Sequence, residues 1–287
     1  MTQLSREGKV VELGPGLPTV IIGERINPTG KKKLAAALQA GDYAYVQREA
    51  VRQVEAGAHV VDVNVGVPGI DEPRVLREAV LAVMDAVDVP LSIDSADPEA
   101  LAAALSVYKG KALVNSVTGE DRILARVLPL VREYGAAVIG LCLNDLGIPP
   151  NPAERLEIAR KIVGEAEKYG VPREDLLIDC LAMTVGADHT AAATTLGAIR
   201  QVTGEFGVST CLGASNVSYG LPDRVGINAI FLGMAVGAGL TSAIVDPTVP
   251  EIPKAIITAD LLAGKDEWAM RYIAYYRSQL KKEQSAT

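Results

Sequence analysis

The chain has 287 residues with 49% apolar, only 4% aromatic and 22% charged side chains, at a net charge of -7. That length fits one α/β barrel of roughly 250 residues or two smaller domains, and the aliphatic richness suits helices packed on buried parallel strands. The charges are interspersed, with no basic run beyond Lys31–Lys33 and the pair Lys281 and Lys282, so a nucleic-acid partner is excluded and the acidity serves solubility.

In chain order, short β-branched runs alternate with helical patterns. After an N-terminal extension over residues 1–18, the strand candidates are Val20–Gly23, Val60–Val65, Leu91–Ile93, Ala112–Asn115, Ala137–Leu143, Leu176–Ile178, Ser209–Leu212 and Ser242–Val245. Between them the helical patterns are Tyr43–Ala56, Glu72–Ala86, Pro98–Val107, Ile123–Tyr134, Ala153–Tyr169, Ala191–Phe206 and Arg224–Ala238. Ile252–Ala263 follows, and an extra helix over about residues 267–281 closes the chain. Asp97-Pro98 and Asn151-Pro152 read as N-caps with proline at the first helical position. Gly57, Gly110, Gly135 and Gly170 read as C-cap glycines, each shortly before a strand. No linker or composition break divides the chain, so the expected fold is α/β, a single (β/α)8 TIM barrel covering residues 1–287.

Gly226–Val245 carries no charge and has the length of a membrane span. It contains Asn228 and four glycines, and Gly239 divides it, so it reads as a buried barrel helix followed by the last strand, Ser242–Val245, with no membrane. Cys142, Cys180 and Cys211 are far apart with no CxxC pair, which argues against a disulfide framework. With no signal peptide at the N-terminus, the expected compartment is the cytoplasm.

Active sites of such barrels lie at the C-terminal ends of the strands. Strand by strand, those ends supply Glu24, Arg25 and Asn27; Asp62, Asn64 and Gly66; Asp94 and Ser95; Asn115 and Ser116; Cys142 and Asn144; Asp179; Ser215 and Asn216; and Asp246. Strand interiors are almost wholly apolar, so the polar residues collect on one rim. Any one of them also suits a turn or a helix cap; the regularity of the whole set points to a site. His59 starts a strand at the wrong end, and His189 lies in a loop beside Asp188. No His/Cys/carboxylate cluster has metal-ligand spacing, and there is no GxSxG elbow, P-loop or dinucleotide fingerprint. A pocket lined by Asp and Asn suits a neutral heterocycle rich in N–H donors, of which a 2-amino-4-oxo-pterin is one and other nitrogen heterocycles are equally good examples.

The rim motifs Gly23-Glu24-Arg25-Ile26-Asn27, Val61-Asp62-Val63-Asn64-Val65-Gly66, Ile93-Asp94-Ser95, Val114-Asn115-Ser116, Ile178-Asp179 and Ser215-Asn216-Val217-Ser218 resemble, in this order, those of methyltetrahydrofolate:corrinoid (iron–sulfur) protein methyltransferases. The folate domain of cobalamin-dependent methionine synthase is similar, and dihydropteroate synthase is a more distant relative. The resemblance runs from about Val20 to Leu262. It implies that Asp94, Asn115 and Asp179 hydrogen-bond a pterin ring, that Asp62 and Asn64 line the same pocket, and that Asn216 contacts N5 of methyltetrahydrofolate. Arg224 and Asn144 fall at pocket-adjacent positions. It further implies transfer of a methyl group, in either direction, between that N5 and the cobalt of a corrinoid supplied by a partner protein, no metal held by the chain itself, and a homodimer. The Asp-x-His-x-x-Gly signature of a corrinoid-binding module is absent. Two alternatives are a dihydropteroate synthase-like condensing enzyme and a non-catalytic pterin-binding subunit. Against the first, the strand-eight end Val245-Asp246-Pro247 lacks the Arg/His pair a phosphate would need; against the second stands the intact Asn216 motif.

Overall fold

The computed structural model describes residues 1–286. The chain begins with an antiparallel hairpin of β1 (Thr2–Arg6) and β2 (Lys9–Leu13). Then come β3 (Val20–Ile26), β4 (Val60–Asn64), β5 (Leu91–Asp94), the two-residue β6 (Gly110–Lys111), β7 (Leu113–Thr118), β8 (Ala137–Leu141), β9 (Leu176–Asp179), β10 (Ser209–Cys211) and β11 (Ser242–Val245). The helices are α1 (Lys32–Ala40), α2 (Tyr43–Glu55), α3 (Glu72–Ala86), α4 (Pro98–Leu105), α5 (Asp121–Tyr134), α6 (Pro152–Lys168), α7 (Ala191–Phe206), α8 (Arg224–Ala238), α9 (Glu251–Leu262) and α10 (Met270–Ala286).

Eight strands form one parallel sheet in the order β10-β9-β8-β7-β5-β4-β3-β11. The ends of that sheet meet, so the barrel closes. At the seam the Ile244 N–H donates to the Leu212 carbonyl at 2.9 Å. Below it, hydroxyls supply the missing ladder: Thr210 N–H donates to Thr241 Oγ1 at 2.8 Å, and Thr241 Oγ1 and Ser242 Oγ donate to the Thr210 carbonyl at 2.7 and 2.9 Å. Side-chain stitching of this kind satisfies backbone groups that would otherwise be buried without partners.

Each expected strand and helix is present, with shifted ends. Strand β7 runs on to Thr118 through a register shift between Asn115 and Val117, and β3 runs on to Ile26 through one between Gly23 and Ile26. The second irregularity is made possible by Gly23, where a Cβ would lie 2.4 Å from Gln53 Oε1. The fully buried Gln53 uses that space to accept from the Arg25 N–H at 2.8 Å. The caps at Asp97 and Asn151 accept from Glu99 N and Glu154 N, each at 3.0 Å. Gly135 caps α5 in the left-handed region.

Three features depart from the sequence expectations. Residues 1–18 hold the hairpin, whose Leu4 and Leu13 are fully buried against Val20, Ile22, Val60, Leu113, Ala137, Ile139 and Leu177. It closes the floor of the barrel. Gly110 is not a helix cap but the first residue of β6, which pairs with β1; a Cβ there would lie 2.1 Å from the Ser5 carbonyl oxygen, so the hairpin docks only against glycine. Helix α1 occupies a stretch read only for its lysines, and buries Leu34, Ala37 and Leu38.

Helix α10 is tied to the floor through Asp260, which is fully buried. Its carboxylate accepts from Thr19 N and Thr19 Oγ1 at 2.9 and 2.7 Å and from Arg271 at 3.1 Å. Cys142, Cys180 and Cys211 are free and buried. Among the described residues no helix is long and apolar enough to cross a membrane.

Candidate active site

The C-terminal ends of the strands form the mouth opposite the hairpin. Consecutive strands place Asn64 beside Asp94 and Asp94 beside Asn115 in register. One pleat lower, Asp62 is buried at 2% exposure. Its Oδ1 accepts from Ser92 Oγ at 2.6 Å and from Asn115 Nδ2 at 3.1 Å. The four residues Asp62, Asn64, Asp94 and Asn115 therefore form one connected patch, with Ser92 as a member that a strand-end reading misses.

This patch favours protons. Burial, then the neighbouring Asp94 charge, pushes the Asp62 carboxyl well above the usual carboxylate range, while its bonds to Ser92 and Asn115 pull it back. Burial, followed by the charge of Glu72, raises Asp94 to about 6 against a hydrogen bond from Asn64. On the far wall burial likewise raises Asp179 to about 6. Asp179 accepts from Leu181 N at 2.6 Å and Gly213 N at 3.4 Å, so it joins the exits of β9 and β10. Carboxyls near 6 exchange protons near neutral pH and can face N–H donors in either state.

The exit of β9 is held by a residue that strand ends could not reveal. Arg155 of α6, buried at 2% exposure, donates to the carbonyls of Cys180 and Leu181, both at 2.7 Å. Leu181 has φ +61, an uncommon conformation for a branched side chain. Arg155 and Thr195 together hold its carbonyl. Burying a guanidinium to fix the residue two beyond Asp179 is the arrangement expected where a rim must be rigid.

Asn216 sits in a 3-10 turn over Ala214–Ser218. It is exposed, and among the described residues nothing hydrogen-bonds its side-chain amide. That amide folds back toward Gly213, with Nδ2 3.7 Å from where a Cβ on that residue would stand. Arg224 pins the turn by donating to the Ser215 carbonyl at 2.7 Å and to Ser218 Oγ at 3.0 Å, and its guanidinium lies 5.9 Å from the Tyr219 ring centre. Arg224 is thus a support of the Asn216 turn.

Other rim residues serve their own loops. Asn144 Oδ1 accepts from Leu146 N at 2.9 Å, and Asn144 lines a separate depression of about 430 Å³ with Ile148, Pro149, Ile158 and Lys161. Nothing among the described residues ties it to the carboxylate patch. Asn27 makes the same kind of turn with Thr29. His59 lies at the floor, where its Nδ1 accepts from Ile21 N at 3.0 Å; burial lowers it to about 4. His189 is an exposed loop residue. Among the described residues no group of three or more His, Cys, Asp or Glu side chains is placed to hold a metal ion.

The model of the pterin binding enzyme family matches residues 23–246. The chain is 31% identical over 266 residues to the methylcorrinoid:tetrahydrofolate methyltransferase of Eubacterium limosum, covering 90% of this chain and 96% of that protein. It is 31% identical over 262 residues to the methionine synthase of Mycobacterium tuberculosis, covering 85% of this chain but 22% of that protein. Among solved structures it resembles dihydropteroate synthase of Yersinia pestis bound to a pterine–sulfa conjugate, with a TM-score of 0.68 at 17% identity over 92% of this chain and 100% of that one. The Xanthomonas albilineans enzyme with 4-aminobenzoic acid gives 0.69 at 21% identity over 91% and 98%. At such identities the structures speak to the fold alone.

Proposed function

The chain belongs to the pterin-binding enzyme family, and we propose from that premise that it is a methyltransferase moving a methyl group between N5 of methyltetrahydrofolate and the cobalt of a corrinoid. The relative that supports this reading matches over nearly its whole length and is named for that chemistry. The structural observation that carries it is the free amide of Asn216 on a braced turn, beside a mouth lined with carboxylates.

In this reading Asp94, Asn115 and Asp179 take the N–H edge of the pterin, and Asp62 and Asn64 set their orientation. Asn216 meets N5, Arg224 supports its turn, and Asn144 stays on the rim. The methyl passes as a cation to a nucleophilic cobalt(I), leaving the electron pair on N5. A tertiary amine leaves poorly unless N5 is protonated. The carboxylates give the mouth a negative field that stabilises a positive ring, and the Asn216 side-chain oxygen accepts from N5–H without itself titrating. One barrier serves both directions, so the same residues also methylate tetrahydrofolate from a methylcorrinoid. The corrinoid arrives on a partner protein, in a reducing cytoplasm suited to three free thiols, and the chain works as a homodimer.

Dihydropteroate synthase-like condensation is the second reading, favoured only by the likeness of fold. One experiment separates them: calorimetric titration with methyltetrahydrofolate, then addition of a Co(I) corrinoid followed by its absorbance. The expected result is binding, methylation of cobalt, and a rate about 100-fold lower in Asn216→Ala at nearly unchanged affinity, the size of effect seen when a preorganised charge-stabilising group is removed. Asp179→Asn should weaken binding instead. Pterin binding with no transfer to any corrinoid would sink the methyltransferase reading.

A further inference from the structure

The methyl transfer needs a proton at N5, and one buried acid at the mouth is arranged differently from the rest. Glu24, at the bend of β3, bounds a cavity of about 60 Å³ together with Ser215, Val225, Asn228, Val245, Asp246, Val249 and Ile252. That is room enough for water, and the walls are largely aliphatic. Every other carboxylate carried by a strand end at the mouth has a donor of its own. Asp62 has Ser92 and Asn115, Asp94 has Asn64, and Asp179 has two backbone N–H groups. Asp246 has Arg25 at 3.2 Å and Thr248 Oγ1 at 2.6 Å. Among the described residues the Glu24 carboxylate has a single hydrogen-bond partner, Ser215 Oγ, at a long 3.4 Å.

Among the described residues the nearby cations make no hydrogen bond to the Glu24 carboxylate, although Arg25 Nε is itself buried without a hydrogen-bond partner. The Lys31 ammonium donates to the backbone carbonyls of Glu24 and Arg25, at 3.4 and 3.0 Å, and the Arg25 guanidinium lies against Asp246 and Glu49. In the same cavity Asn228 Oδ1 is buried and has no donor. A carboxylate with one long donor and an amide oxygen with none are both relieved if the acid carries a proton. A neutral Glu24 supplies an O–H to that space, directly or through water, and removes an unsolvated charge. Burial first, then the charge of Asp246, shifts Glu24 the same way, with Lys31 and Arg25 opposing. Asp62, on the neighbouring strand β4, interacts with it as a further like charge.

We propose that Glu24 is the proton store of the methyl transfer, passing its proton through the Ser215 hydroxyl to the pterin nitrogen beside Asn216. This rests on the methyltransferase reading and names a donor within it. Ser215 directly precedes Asn216 on the same pinned turn, and a hydroxyl accepts and donates at once. As the N5–methyl bond breaks and the methyl joins cobalt(I), Glu24 O–H gives its proton to Ser215 Oγ and Ser215 gives its own to N5. Glu24 is left as the carboxylate and methylcobalt(III) and tetrahydrofolate are formed. In reverse, N5–H returns its proton along the same line.

The test is single-turnover methylation of Co(I) cobalamin by methyltetrahydrofolate, over a pH series, in wild type, Glu24→Gln and Ser215→Ala. The wild-type rate should fall as pH rises through the titration of Glu24. Glu24→Gln should bind methyltetrahydrofolate within about 2-fold of wild type, transfer at least about 100-fold more slowly, the scale of a general acid, and lose that limb of the pH profile. Ser215→Ala, which keeps the carboxyl, should slow transfer at unchanged affinity even if Glu24→Gln folds poorly. A Glu24→Gln enzyme with wild-type rate and pH profile, or one with weakened binding and an unchanged rate of transfer, overturns the proposal while the methyltransferase reading stands. A wild type that binds pterin but methylates no cobalt overturns both.

Discussion

Asp94 and Asp179 carry a stability penalty that follows from where they stand. Each prefers its proton in the fold, with values near 6 against 3.8 for the free side chain. Folding therefore takes up protons between those values, and stability falls as pH rises through that window, with the penalty fully developed above about 6. His59 acts in the opposite sense. Burial, then the Arg271 charge, lowers it from 6.5 to about 4, so its contribution is complete above 6.5 and is lost as pH falls towards 4. At neutral pH the carboxylates are thus a burden on the fold, which the proposed role in pterin binding accounts for. Asp94→Asn, which removes the charge and keeps the shape, should raise the melting temperature by about 2–4 °C at pH 7.5, for a gain of about 1–2 kcal/mol. The gain should shrink by pH 5, while pterin affinity is lost. Calorimetric melts at the two pH values check this; a melting temperature lowered equally at both would show that the carboxylate stabilises the fold.

At the scale of elements, the parts that build the site were the most legible. Alternation of β-branched runs and helical patterns gave eight strands, and the barrel rule then said which end of each mattered. The pairing of Asp62 with Ser92 and Asn115 was not legible, because it depends on which strand faces keep register across the closed sheet. Arg155 lay hidden for the same reason: its partners are 25 and 26 residues away along the chain. The hairpin was missed although Thr2–Arg6 and Lys9–Leu13 alternate around a Glu-Gly turn; its strands are five residues each and one face is polar, so the pattern resembles an irregular tail. Its buried leucines show what it does. Leu13→Ala should cost about 3 kcal/mol, typical of a leucine deleted from a packed core, and lower the denaturation midpoint. Because the floor is opposite the mouth, pterin affinity in the folded fraction should stay as it was. A large loss of affinity would mean that the hairpin shapes the mouth.

At the scale of the molecule, the uncharged segment Gly226–Val245 acquires a different meaning in three dimensions. The helix read as buried turns only Phe231, Leu232, Ala235, Val236 and Ala238 inward. Its outer face leaves Ile230 69% and Met234 52% exposed, and Leu262 of α9 is 82% exposed beside it. Between the two helices runs a groove of about 550 Å³ floored by Ala229, Gly233, Gly237 and Ala259. A patch of that kind on a surface is costly unless something covers it. Glu251 and Lys254 border the groove, and neither has an ion-pair partner among the described residues. Opposite charges on one border are self-complementary about a two-fold axis, where Glu251 of one copy faces Lys254 of the other. The proposed homodimer therefore has a natural seat on α8 and α9. Light scattering on the eluting protein should give twice the chain mass. Ile230→Glu should shift it to the monomer, because a carboxylate forced into the apolar contact raises the dissociation constant at least about 100-fold, or about 2.7 kcal/mol. The monomer should keep its affinity for methyltetrahydrofolate. A wild type that elutes as a monomer at all concentrations would leave the groove to some other partner, and an Ile230→Glu dimer would move the contact to another face.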